Sequence, residues 1–124
     1  MAGEYINDEI FDGGLDYADT NGTRIDITSQ VATTRTEAVT TYTLGNDTVN
    51  TGAPQAGAVD GRRVQVPAIT AGTVTGTGTA THWALTSGTE LLATGPLTSS
   101  QAVTSGNTFS LDAISITLRD ATVT

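Results

Sequence analysis

From Arg24 onward, short runs of alternating apolar and polar residues are separated by turn-forming residues. In residues 24–28 (RIDIT), Ile25 and Ile27 share one face, the period of a strand. Residues 38–44 (AVTTYTL) read as a second strand, with Val39, Thr41 and Thr43 opposite Thr40, Tyr42 and Leu44. Residues 45–61, rich in Gly, Asn and Ala, read as a long loop. In 62–69 (RRVQVPAI), Val64 and Val66 align, and Pro67 marks an edge or a bend. Residues 72–79 (GTVTGTGT) alternate threonine with small residues, which predicts a bent strand or one that another backbone approaches closely. Residues 80–86 place Trp83 and Leu85 on one face, and Ser87-Gly88 predicts a hairpin turn into 89–94. Gly95-Pro96 breaks the chain. Residues 101–104 and 108–111 form a hairpin around Ser105-Gly106-Asn107, and 113–118 (AISITL) align Ile114, Ile116 and Leu118.

This spacing predicts an all-β chain: a single small β-sandwich, or a jelly-roll-like or barrel domain, of about eight short strands spanning 24–124. Its predicted core is Ile25, Ile27, Val39, Val64, Val66, Val74, Trp83, Leu85, Leu91, Val103, Phe109, Ile114, Ile116 and Leu118. Composition agrees. Of 124 residues 26 are threonine, which packs well on a pleated surface, while glutamate is scarce and lysine absent.

Residues 1–23 read as a separate, extended N-terminal arm with six acids and no base. Gly13-Gly14 is expected to interrupt any helix longer than about two turns, leaving room for one helical turn at 8–11. The arm also carries Tyr5, Ile6, Ile10, Phe11, Leu15 and Tyr17. Apolar groups this large are expected to dock on a partner subunit rather than stay solvated.

Charge and chemistry narrow the function classes. Thirteen acids against five bases give a net charge of −8, which disfavours nucleic acid as a partner. No apolar run is long enough for a membrane helix, and the first residues lack the basic and apolar regions of a secretory signal. Cysteine is absent, so disulfides and thiol chemistry are excluded. His82 is the sole histidine, too few for a zinc site, and no G-x-S-x-G elbow accompanies it. Aligning Gly22 with the glycine of a calcium loop puts Tyr17 and Thr28 at ligand positions that need acids, which leaves only Asp16, Asp19 and Asp26 as ligands. No enzyme, metal or cofactor is expected.

The runs GRRVQVPAIT (61–70), GTVTGTGTATHWALTSGTELLATGPL (72–97) and SSQAVTSGNTFSLDAISITL (99–118), with GTRIDI (22–27) and YTLGN (42–46), resemble small virion proteins encoded among the head genes of tailed bacteriophages. The resemblance implies a capsid decoration, or cement, protein made in the host bacterial cytoplasm. It would sit on the outer surface of the shell against the major capsid protein, with a homotrimer favoured. On that reading the arm supplies anchors at Tyr5, Ile6, Ile10, Phe11, Leu15 and Tyr17. Arg62, Arg63, Val74, Gly76 and Gly78 are the expected contacts between subunits. The alternative is a collar, tail or fibre module that recognises the host surface. It is weakened because loops 45–61 and 95–100 hold no aromatic residue for a sugar face to stack on, and Trp83 falls mid-strand.

Overall fold

The computed structural model describes residues 8–56 and 61–118, with side chains from residue 13 onward and excluding that of Leu118. In chain order come α1 (Asp8–Asn21), β1 (Arg24–Thr28), a π-helical turn (Glu37–Thr41), β2 (Thr43–Thr48), β3 (Gln55–Ala56) and β4 (Arg62–Val66). They are followed by β5 (Ile69–Val74), β6 (Gly78–Thr86), β7 (Leu91–Val103), β8 (Thr108–Leu111) and β9 (Ile114–Leu118). Strand makes up 53% and helix 16%, so the fold is all-β, with about nine strands. Six form an antiparallel sheet in the order β7-β6-β1-β2-β5-β8, curled into a half-barrel, and β3-β4-β9 form a small second sheet.

The connections dictate the curl. β7 and β8 lie at opposite edges of the large sheet, yet only residues 104–107 join them. Five spacings of about 4.8 Å would hold the edges of a flat six-stranded sheet ~24 Å apart, more than the ~17 Å that so short a link can span when fully extended. The link is in fact a tight turn: the Asn107 N–H donates to the Thr104 carbonyl at 3.0 Å, and Gly106 takes φ +92°, which glycine adopts without strain. Gly106 and Asn107 also exchange backbone hydrogen bonds with Val74 at 3.1 and 3.0 Å, seating the turn on the end of β5.

Aromatic rings lie directly on glycines inside the curl. A Cβ at Gly72 would come within 2.3 Å of the Phe109 ring, and one at Gly45 within 3.1 Å. One ring therefore covers glycines on two neighbouring strands, β2 and β5. Around it the buried core joins Ile25, Ile27, Val49, Val66, Ile69, Val74, Ala80, Leu85, Val103, Phe109 and Leu111, with Ile114 and Ile116 of the second sheet packed against it. Val39 and Leu91 instead flank a separate cluster of Ala32, Ala38 and Ala84. The Leu118 side chain lies outside the described residues.

β1 is covered on both faces. Ile25 and Ile27 enter the core, while Asp26, fully buried, accepts two hydrogen bonds from the Arg24 guanidinium at 2.8 and 2.9 Å and one from Thr43 Oγ1 at 2.6 Å. A buried carboxylate needs such partners; removing one of them would strand the charge.

Several sequence-based assignments are corrected. Gly95-Pro96 does not break the chain, since β7 runs through both residues and through 97–100 to Val103, and residues 101–104 and 108–111 do not pair as a hairpin, since β7 and β8 lie at opposite edges of the large sheet. Residues 38–44 are not a strand: the chain is helical from 35 to 41, and β2 begins at Thr43. Thr34 Oγ1 accepts the Glu37 N–H at 3.1 Å, and Glu37 Oε1 accepts the Thr33 N–H at 2.8 Å and its hydroxyl at 2.7 Å. This is close to a capping box, and it outweighs the β preference of the threonines. Residues 72–79 are not one strand either, because the chain breaks at 75–77 between β5 and β6. Finally, the segment before β1 is a helix of 14 residues, not an extended arm, and runs through Gly13-Gly14. Two glycines in a helix cost roughly 1 kcal/mol each, but α1 packs on β4, buries Leu15 to 2% exposure and hydrogen-bonds Asp19 to Thr51 at 2.7 Å.

Two outcomes test this packing. Gly72→Ala is expected to cost about 2–3 kcal/mol in denaturant unfolding by driving Phe109 from its seat. Gly88→Ala, with nothing within 4 Å, should stay within about 0.5 kcal/mol; equal effects would contradict the ring-on-glycine account. The second concerns Glu37, whose pKa is held below the usual carboxylate value first by the Thr33 N–H and then by the Thr33 hydroxyl. A lowered folded pKa gives stability that is complete above the ordinary value of about 4.3 and is lost as pH falls through the folded one. In thermal melts the wild type should therefore exceed Glu37→Gln near neutrality and converge with it in acid; a gap independent of pH would contradict this.

Candidate functional site

A cleft of about 380 Å³ lies along the seam where the curled sheet fails to close. Its origin is a mismatch between β6 and β7. Ala80 pairs with Gln101 and His82 with Pro96, so residues 97–100 of β7 stand opposite Thr81 alone. Four residues against one make a large bulge that interrupts the ladder, and Pro96 supplies no N–H to restore it. Across the gap lie Asp112 and Ala113, the two residues that carry the chain from β8 in one sheet to β9 in the other. Near the turn the edges are tied by a side chain instead of a backbone ladder: Gln101 Nε2 donates to the Ser110 carbonyl at 3.0 Å.

Trp83, directly opposite Gly95, forms an aromatic wall of the cleft. A Cβ at Gly95 would meet the indole at 2.8–2.9 Å, so the ring rests on bare backbone. Around it stand the polar residues Thr98, Ser99, Gln101 and Asp112, with Pro96, Leu97 and Ile114 as apolar surface. Asp112 is the one charged residue among those lining the cleft. A second hollow, of about 420 Å³ and bordered by Asn50, Gln55, Gln65 and Pro67 among others, has neither aromatic nor charged lining.

The residues singled out from sequence are not gathered into one site. Tyr5 and Ile6 lie outside the described residues, as do the side chains of Ile10 and Phe11 on α1. Leu15 is turned into the chain's own interior. Tyr17 is 50% exposed, and its hydroxyl donates to the Glu90 carboxylate, which raises the Tyr17 pKa first through that hydrogen bond and then through the charge. Arg62 and Arg63 open β4, on which α1 packs; Arg63 Nη1 donates to Ser115 Oγ at 3.3 Å, and its Nε is buried without a partner. Val74 is a core residue at 2% exposure, so its side chain is not offered to another subunit. Gly76 and Gly78 sit against Leu44, to which Cβ atoms built there would come within 3.5 and 3.3 Å.

The polar groups weighed for chemistry have structural partners. His82 Nδ1 is 2.8 Å from Thr81 Oγ1, Asp19 accepts from Thr51, and Asp26 is held by Arg24 and Thr43. Among the described residues no three His, Asp or Glu side chains converge as metal ligands. No described helix is long and apolar enough to cross a membrane. The cleft was missed from sequence because a bulge is a property of register; the one local hint was Gly95-Pro96 followed by four polar or small residues up to Gln101 after Leu97.

Compared with protein-family models, curated proteins and solved structures, the chain gives no match.

Proposed function

We propose that the chain is a non-enzymatic virion structural protein that decorates the outside of a capsid shell and cements its major capsid protein. The observation that carries this reading is that the acids and the histidine weighed for chemistry serve the module's own framework. Arg24 and Thr43 hold Asp26, Thr33 holds Glu37, Thr51 holds Asp19 and Thr81 meets His82. Such a unit offers shape and sheet edges to a neighbour, not reactive groups. The resemblance of its strand and turn runs to small phage head proteins supports the same assignment. Mechanistically, a module that binds only the assembled shell stabilises it by mass action. The charge of −8 suits the outer surface and opposes contact with packaged DNA. The favoured assembly is a homotrimer at a capsid symmetry axis.

A second reading, host-surface recognition from the collar, tail or fibre, is favoured by one feature, the placing of Trp83 in an open cleft. Because Leu15 lies in the interior, truncating residues 1–20 would damage the fold and confuse attachment with stability. Location separates the readings without that problem. With gold-labelled antibody against the intact protein, electron microscopy of particles is expected to show label over the whole head. Label confined to one vertex or the tail, or absent from particles, would overturn the decoration reading.

A further inference from the structure

We propose that the seam cleft binds a small neutral saccharide, with Trp83 as the stacking wall and Gln101 and Asp112 as hydroxyl-binding groups. Its volume, about 380 Å³, falls at the small end of ligand pockets, roughly 300–1,000 Å³, and suits a mono- or disaccharide. The lining has the mixed chemistry that a sugar presents. An indole supplies an apolar, polarisable surface for the C–H face of a pyranose ring, and Pro96 extends that surface.

The polar groups come from separate segments and converge on the same space: Thr98, Ser99 and Gln101 from the bulged strand, Asp112 from the corner between the sheets. Gln101 is anchored, since Nε2 donates to the Ser110 carbonyl, and its Oε1 remains an acceptor for a sugar hydroxyl. A carboxylate accepts hydroxyl hydrogen bonds strongly, so Asp112 adds both affinity and direction. A purely apolar ligand would leave these groups without partners.

Charge selects the class further. The lining has one carboxylate and no cationic side chain, and the chain as a whole carries −8. Uronic acids, sialic acids and sugar phosphates would be repelled, whereas neutral hexoses and N-acetylhexosamines would not. Where on a particle the module sits does not enter this argument, so its test and the particle-labelling test can fail separately.

Trp83 is the sole tryptophan, so intrinsic fluorescence reports from the cleft wall itself. The full-length protein would be titrated with glucose, galactose, mannose, N-acetylglucosamine and their disaccharides. Glucuronic acid, N-acetylneuraminic acid and glucose 6-phosphate serve as anionic controls, and calorimetry runs in parallel. At least one neutral sugar is expected to give a saturable fluorescence change with Kd in the millimolar range or tighter, and the anionic sugars to bind at least about tenfold more weakly. Asp112→Ala, an exposed position, should weaken binding about tenfold, the loss expected for one charge-assisted hydrogen bond. Thr98→Val at a second exposed position provides an independent check should Asp112→Ala shift the melting temperature. The proposal is overturned if no neutral sugar gives a saturable change, if anionic sugars bind equally well, or if binding is indifferent to both substitutions.

Discussion

A tight turn at 104–107 joins the two strands that would otherwise be farthest apart in the large sheet. Everything else in the molecule accommodates that constraint. The six strands must curl, and curling crowds the concave face, which explains why glycines there meet aromatic rings. Phe109 lies over Gly45 and Gly72, while Trp83 lies over Gly95. The second sheet then adds Val66, Ile114 and Ile116 to the same core. The outer side of β1 is covered separately, by the 29–42 segment with its capped helical turn and the Asp26–Arg24 pair.

Closure is incomplete, and the cleft is the remainder. Gln101 ties the edges near the turn, but the bulge at 97–100 and the departure of the chain into β9 prevent a backbone ladder farther along. A strand mismatch that leaves an aromatic wall beside fixed polar groups is a natural place for a ligand. The same account leaves the rest of the surface to act by contact. On the decoration reading the two roles are compatible: a module attached to a shell through one face can present the seam on another.

Much of the framework could be read residue by residue. Ile25 with Ile27, Val64 with Val66, and Phe109 follow the two-residue period, and all five are buried. The turn at Gly106 is where local chemistry placed it, but the strands it joins are not a hairpin: β7 pairs with β6 and β8 with β5. What escaped depended on competition or on distance. In residues 38–44 the β-branched pattern competed with a cap just upstream, and Thr33 and Thr34 with Glu37 prevailed. In α1, the cost of Gly13-Gly14 is local, whereas the burial of Leu15 and the Asp19–Thr51 bond come from residues remote in sequence. Trp83 was visible as a strand residue, but its exposure to a cleft follows from a register shift that no local pattern encodes.

The central claim is that the edges of the large sheet are drawn together beside the 104–107 turn, and nuclear Overhauser measurements on this 12.7 kDa chain test it most directly. The account predicts short-range cross-peaks between the Gln101 side-chain amide protons and the backbone of Ser110, together with cross-peaks from Phe109 ring protons to Gly45 and Gly72. A spectrum with the turn at Gly106 intact but without the Gln101–Ser110 cross-peaks would show an open sheet, and with it neither the seam nor the cleft described here would exist.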